Sequence, residues 1–313
     1  MIKSISRRLR KFVQSSHAPA PLFRWYMKRS TQRKRAKLLP KLARGEDLLA
    51  QLSPAVRAHW AMRIKRVLED PNNAAISRHP QAGKLVGEQL VLHNGLRIEP
   101  LSYYSYPLLK MLMDNKGVHE PQEEAVFQAV LRTMQPRQQP PVMLELGAYW
   151  AFYSMWFKQA FPNAACYMVE PDRKSLYHGE DNFRMNNFTG TFIHAGIGSK
   201  VNPAKRITTV DRICEAYALD FIDILHADVQ AYEMEMLRGA MQTLESAKVG
   251  YLFISTHSDE LHEDCRRVLR EEYGLVEVAA ANLAESYSWD GLLVFKAPDY
   301  PGIAELPIAL RPS

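Results

Sequence analysis

From residue 142 to residue 296, short apolar runs alternate with stretches in which apolar positions recur every three or four residues. A short continuous apolar run reads as a strand buried on both faces, and a 3.6-residue period as a helix with one face on a core. The pattern predicts strands near 142–147, 165–170, 190–196, 221–228, 249–256, 273–279 and 291–296, with helices between most of them. Alternation of this kind builds right-handed βαβ crossovers and a mainly parallel sheet with helices on both faces. The last two runs are joined by a loop too short for a crossover helix, so they should pair antiparallel.

Upstream of this block the pattern changes. Ser53 to Glu69 places Val56, Trp60, Ile64, Val67 and Leu68 on one helical face, and Pro71-Asn72-Asn73 stops it. Lys84 to Leu92 and Leu96 to Ile98 flank Asn94-Gly95, a strong short hairpin signal. Glu120 to Met134 is apolar-periodic, and the run PRQQPP at Pro136 to Pro141 separates it from the first core strand. These breaks divide the chain into a basic arm (1–45), a helical and β-hairpin extension (46–119), an α/β domain (120–298) and a C-terminal tail (299–313).

Charge alters the picture at one end. Residues 1–45 hold 14 of the 40 Lys and Arg and no Asp or Glu, which leaves 26 basic against 34 acidic residues, a net of −8, for the remainder. With Leu22, Phe23, Trp25, Tyr26 and Met27 interspersed, the segment suits a solvated or subunit-contacting arm, an anionic membrane surface or nucleic acid, the last being the weakest fit. No run approaches the ~20 apolar residues of a membrane span. The start MIKSISRRLRKFVQSS lacks the apolar core of a secretory signal, while its acid-free Arg- and Ser-containing character leaves a transit peptide open. Cys166, Cys214 and Cys265 are too widely spaced for a metal knuckle or redox motif, which favours reduced, buried thiols and a cytoplasmic protein, peripheral to a membrane if the arm binds lipid.

The chemistry concentrates at strand ends. Val142 to Ser154 (VMLELGAYWAFYS) runs from a strand through Glu145 and a turn at Gly147 into an aromatic helix start, and Tyr167 to Pro171 (YMVEP) places Glu170 a little over twenty residues further on. Such folds grip a ribose with a carboxylate at about this distance. A dinucleotide fingerprint needs three glycines around the pyrophosphate, and here the first position is Glu145 and the third Ala151. A carboxylate would repel pyrophosphate, whereas S-adenosylmethionine has an ammonium, a sulfonium and a ribose diol, so the residues favour that cofactor. Glu145, Gly147, Ala148, Tyr149, Glu170 and Pro171 are the cofactor-binding candidates; the remaining aromatics Trp150, Phe152 and Tyr153 read as core. Two further strands end at Asp228 and His257 on the same edge. Asp228 could also serve only as a helix N-cap and His257 only as a surface residue.

The ordered stretches ELGAYWAFYS, VEP, GIGSK, TTVDRI, DILHADVQAYEMEMLRGA and ISTHSD resemble the FkbM family of S-adenosylmethionine-dependent methyltransferases over about residues 117–296. The resemblance implies a class I methyltransferase (Rossmann-like) α/β fold with a seven-stranded, mostly parallel sheet, and O-methylation of a hydroxyl on a sugar, glycan or glycolipid. Departures accompany it. The family's Lys-Ile-Asp-Val-Glu-Gly-Ala-Glu is similar to His226 through Glu233 here, with the Lys, the first Glu and the Gly replaced by His226, Gln230 and Ala231, and Ser255 stands where members often carry Glu. A non-catalytic binding protein and a nucleic-acid methyltransferase using the basic arm remain as alternatives. For methyl transfer, His257 is the expected base, since an unperturbed imidazole at pKa ~6.5 is largely neutral at cytosolic pH, and Asp228 would orient it or bind the acceptor. Asp228 with Asp259 offers oxygen ligands suited to Mg²⁺, although no metal is required.

Overall fold

The computed structural model describes residues 19–103, 105–136 and 139–312, so the first 18 residues, with their transit-peptide reading, lie outside it. The described chain begins with helices α1 (Ala20–Ala43) and α2 (Pro54–Leu68) and a 3₁₀ turn at Pro71–Ala75. Strands β1 (Leu85–Val86), β2 (Gln89–Val91) and β3 (Arg97–Ile98) follow, then helices α3 (Tyr106–Asp114) and α4 (Pro121–Thr133). The α/β block comprises β4 (Val142–Leu146), α5 (Phe152–Ala160), β5 (Ala165–Val169), α6 (Arg173–Met185), β6 (Thr191–Ile193), β7 (Gly196–Ile197), β8 (Ile207–Thr208) and α7 (Val210–Tyr217). It continues through β9 (Ile222–Ala227), α8 (Glu233–Arg238), α9 (Met241–Glu245), β10 (Val249–Thr256), α10 (Asp259–Arg267), β11 (Val276–Ala281) and β12 (Gly291–Lys296).

Seven strands form the expected sheet in the order β11-β12-β10-β9-β4-β5-β6. Every neighbouring pair from β10 to β6 is parallel, and β12 runs antiparallel to both β10 and β11. Alternate side chains feed two cores. Met143 joins the cluster under α4 and α5 with Phe127, Phe152 and Phe157, and Leu144 joins the cluster under α7 to α10 with Ile213, Met236 and Leu269. Each fully buried ring of this kind is worth about 1.5–3 kcal/mol relative to exposure.

The direction of the strands decides where chemistry can occur. Parallel β4, β5, β9 and β10 all end on one edge, and strand order reverses between β4 and β9, where such sheets leave a crevice. Because β12 is antiparallel, with Gly291 paired to Thr256, its beginning meets that same edge.

Several boundaries differ from the sequence reading for local reasons. The run 84–92 is two strands, turned by Gly87 at φ 63°, and β2 and β3 then close the hairpin around Asn94-Gly95 with Leu90 opposite Ile98. The run 190–196 ends at Ile193 in the main sheet, and β7 leaves it to pair with β8. The described part of the basic segment is a docked helix. Phe23, Tyr26 and Met27 of α1 pack with Tyr177 of α6, Leu38 enters the main core, and Arg24 and Arg35 pair with Glu180 and with Glu88 and Glu99. The C-terminal residues are likewise tied in, since the Tyr300 hydroxyl donates to Asp223 and the Ala309 amide donates to Asn72. No helix among the described residues is long and apolar enough to cross a membrane.

Candidate active site

The turn after β4 is built by close approach of backbone. Gly147 has φ 71°, and a Cβ there would lie 1.8 Å from the Asp228 carbonyl oxygen, so only glycine lets the ends of β4 and β9 meet. The space a side chain would need at this cofactor-binding candidate is taken by the neighbouring strand end. The amides of Gly147 and Ala148 both donate to the Val169 carbonyl, which locks the turn to β5. Tyr149 and Ala151 then take left-handed φ angles of 46° and 62° before α5 starts. These are costly for residues with a Cβ and persist only where the surroundings hold them.

Glu170 closes the next strand end. Its two carboxylate oxygens accept from the amides of Tyr149 (2.9 Å) and Asp172 (2.7 Å), so it ties the β4 turn to the β5 turn. Burial raises its pKa to about 7, against the pull of those two amides. Each oxygen keeps a second lone pair for a hydroxyl donor. Pro171 is exposed, its carbonyl bonded to His194 Nε2. Glu145 is buried and accepts the Ser154 amide at 3.1 Å, so it secures α5; burial raises its pKa, partly countered by His226.

Beyond the turn stands a cluster of carboxylates around one imidazole. His257 Nδ1 lies 2.6 Å from Glu233 Oε1, and its Nε2 lies 3.3 Å from Asp228 Oδ1 and 3.6 Å from Asp290 Oδ1. Burial alone would lower the His257 pKa, but Asp228, Glu233 and Asp290 together raise it to about 10. The neutral imidazole expected from the sequence is thus shifted toward its protonated form by the carboxylates around it. Asp290 moves the other way. Burial lifts its carboxyl to about 7, with Asp228 and Glu120 adding to the shift and His257 opposing it.

Asp290 and Glu233 were missed as site residues. Asp290 heads the antiparallel strand, and only that strand's reversed direction places it beside the end of β10. Glu233 is buried inside the turn of α8, where its Oε1 also accepts the Ala231 amide. Gln230 Nε2 donates to Asp228 Oδ1 at 2.9 Å, and Ala231 holds φ 72°, the conformation a glycine would adopt most easily. Asp259 accepts the Leu283 amide, and among the described residues no group of three or more His, Cys, Asp and Glu is arranged to hold a metal ion.

Beneath the cleft runs a buried ionic layer supplied by the first turn of α4. Glu123 Oε1 lies 2.6 Å from His226 Nε2, and Ser255 Oγ donates to Glu123 Oε2. Two of the departures noted in the sequence, His226 and Ser255, thus meet on one carboxylate from α4. Glu124 lies 2.6 Å from His119 Nδ1 and 3.0 Å from His93 Nε2, and it accepts the amides of His119 and Glu120. Glu120 in turn receives the Tyr153 hydroxyl.

The cleft itself is lined by Glu145, Gly147, Ala148, Tyr149, Asp228 and Ser255, together with Tyr103. The Tyr103 ring sits 5.0 Å from that of Trp150 and 5.7 Å from that of Tyr149. The remaining cavity is about 50 Å³, space for a water or two. The residues suit S-adenosylmethionine in kind, with an acceptor carboxylate at the β5 tip and small residues at the turn. A pocket of this class has at least ~300 Å³, so side chains lining the cleft must shift when the cofactor binds.

A family model described as "Methyltransferase FkbM domain" matches residues 91–275. Among solved structures, the METTL16 MTase domain is similar at 11% identity and a TM-score of 0.42, over 57% of this chain and 69% of that one. A precorrin-6y C5,15-methyltransferase from Geobacter metallireducens (16% identity, TM-score 0.38) covers 56% of this chain and 88% of its own. M. capricolum TrmK in complex with S-adenosyl-homocysteine (12%, TM-score 0.37) covers 56% and 69%. No curated protein matches the chain.

Proposed function

This chain belongs to the FkbM methyltransferase family and is an S-adenosylmethionine-dependent methyltransferase, and from that premise we propose that it methylates a hydroxyl of a sugar, glycan or glycolipid. The acidic floor supports the reading. Asp228, Asp290 and Glu120 surround the reacting edge, where they can accept hydrogen bonds from a neutral polyhydroxyl ligand. The same charges would repel the phosphodiester backbone of a nucleic acid.

When bound, the cofactor supplies a methyl group on a positively charged sulfur. Glu170 would hold the ribose and the Gly147-Ala148-Tyr149 turn the methionine moiety. Asp228 receives the hydrogen bond of the acceptor hydroxyl, which aligns its oxygen. His257, as the imidazolium, holds Asp228 and Asp290 at their separations and lowers the cost of bringing two carboxylates together. Asp290 takes the hydroxyl proton, because a carboxylate titrating near neutrality combines basicity with the right resting state. Tyr103, which lines the cleft, would shield the reacting atoms from water.

The test is transfer of labelled methyl from S-adenosylmethionine into separate pools of sugars, glycans, glycolipids and RNA, with label surviving alkaline hydrolysis as an ether does. Label found in RNA and absent from every saccharide pool would reject the proposal.

The pKa of Glu170 yields a second expectation. Ribose hydroxyls donate to the ionised carboxylate, so binding lowers a pKa that stands at about 7 in the free protein and releases a proton. Affinity for S-adenosylhomocysteine should rise up to about tenfold per pH unit below 7 and level off above it. In Glu170→Gln the dependence should vanish. Calorimetric titration between pH 5.5 and 8.5 decides, and a flat profile in the unmodified protein would remove Glu170 from the ribose.

A further inference from the structure

A second chamber, of about 450 Å³, opens between α1, residues 100, 101, 103 and 105–107, and the start of α6. It is large enough for a monosaccharide phosphate. All of its ionisable side chains apart from tyrosines are basic: Lys34 from α1, with Lys174 and His178 one turn apart on α6. Neither lysine has an ion-pair partner among the described residues. Ser30, Thr31 and Ser105 add hydroxyl donors. Burial lowers the His178 pKa to about 4, with Asp181 and Asp172 opposing and Lys34 pushing in the same direction, so the ring is neutral. Its Nδ1 is buried without a hydrogen-bond partner.

Tyr103 lines both this chamber and the catalytic cleft, so the two adjoin at that side chain. Their charges are opposite. The cleft floor carries carboxylates, and the chamber carries two lysines and no acid. A ligand reaching from one into the other would need a neutral, hydroxyl-rich end at the floor and an anionic end in the chamber. Two ammonium groups with several hydroxyls match the many acceptor oxygens of a phosphate ester better than the two of a carboxylate.

We propose that this chamber is a subsite for the phosphate of the acceptor, making the substrate a phosphorylated saccharide whose phosphate lies beyond Tyr103 from the reacting hydroxyl. The statement about substrate rests on the sugar-hydroxyl reading above; the anion site itself does not.

Equilibrium binding tests it without turnover, with glucose 1-phosphate, dodecyl phosphate, inorganic phosphate and glucose as probes. The phosphate esters should bind at least about tenfold more tightly than glucose, and more weakly as salt rises. The Lys34→Gln/Lys174→Gln variant should lose about tenfold or more for them while its affinity for S-adenosylhomocysteine stays within twofold. Tighter binding of dodecyl phosphate than of glucose 1-phosphate assigns a lipid-linked saccharide, and the reverse order a soluble one. Equal binding of glucose and glucose 1-phosphate overturns the proposal, as does an unchanged double variant. A double variant that loses S-adenosylhomocysteine affinity overturns it too, because the chamber then belongs to the cofactor. Phosphate binding without methyl transfer to any saccharide would reject the acceptor reading and leave the anion subsite standing.

Discussion

Asp290→Asn should lower kcat by about two to four orders of magnitude, the range a positioned general base contributes, with affinity for S-adenosylhomocysteine little changed. The substitution keeps shape and volume and removes only the proton-accepting charge. Asp290 titrates at about 7 because burial disfavours its ionised form. In the unmodified enzyme kcat/KM should therefore climb as pH rises through about 7 and flatten above it, since the base must be ionised to act. Were His257 the base, the rising limb would lie near pH 10, where the surrounding carboxylates let it give up its proton. The position of one limb thus separates the two assignments. Full activity in Asp290→Asn, or a limb at pH 10 that disappears in His257→Gln, would return the role to the histidine.

His257 and Asp290 also mark what the sequence could and could not disclose. The strand ends were legible because continuous apolar runs such as FIDIL and YLFIS have no reading as surface, and parallel order follows from the alternation. That placed Gly147, Asp228 and His257 on one edge correctly. Charge states were hidden, because they depend on Glu233 and Asp290 arriving from other elements. Glu145 shows a related limit: its position was visible, but its engagement by the Ser154 amide, on the first turn of α5, was not. Helix α1 escaped notice as a packed element for a different reason. Its eight basic residues interrupt any apolar stripe, and the few side chains that dock, Phe23, Tyr26 and Met27, are buried by α6 rather than by an amphipathic face of their own. Tyr103 lies in a loop, where no periodicity exists to report that a ring reaches into the cleft.

The second large effect concerns stability. Glu124→Gln should cost about 3–5 kcal/mol, the penalty for removing one partner of a buried ion pair, read as a lower urea midpoint at constant slope. Glu124 has no exposed surface, and its carboxylate serves His119 and His93 together while capping α4. Burial would raise its pKa, yet the two imidazoles override burial and hold it well below the usual carboxylate range. That depressed value contributes stability fully present above the unfolded pKa of ~4.3 and lost as pH falls through the folded one. His119 is shifted oppositely: burial would lower it, but Glu120 and Glu124 raise it to about 10. Its contribution is complete below ~6.5 and is lost as pH rises toward 10. The unmodified protein should therefore be most stable between about pH 5 and 6.5, with both flanks shallower in Glu124→Gln. A loss below about 1 kcal/mol, with both flanks unchanged, would mean that His119 is neutral in the folded protein. The layer beneath the cleft would then be held by hydrogen bonds without charge.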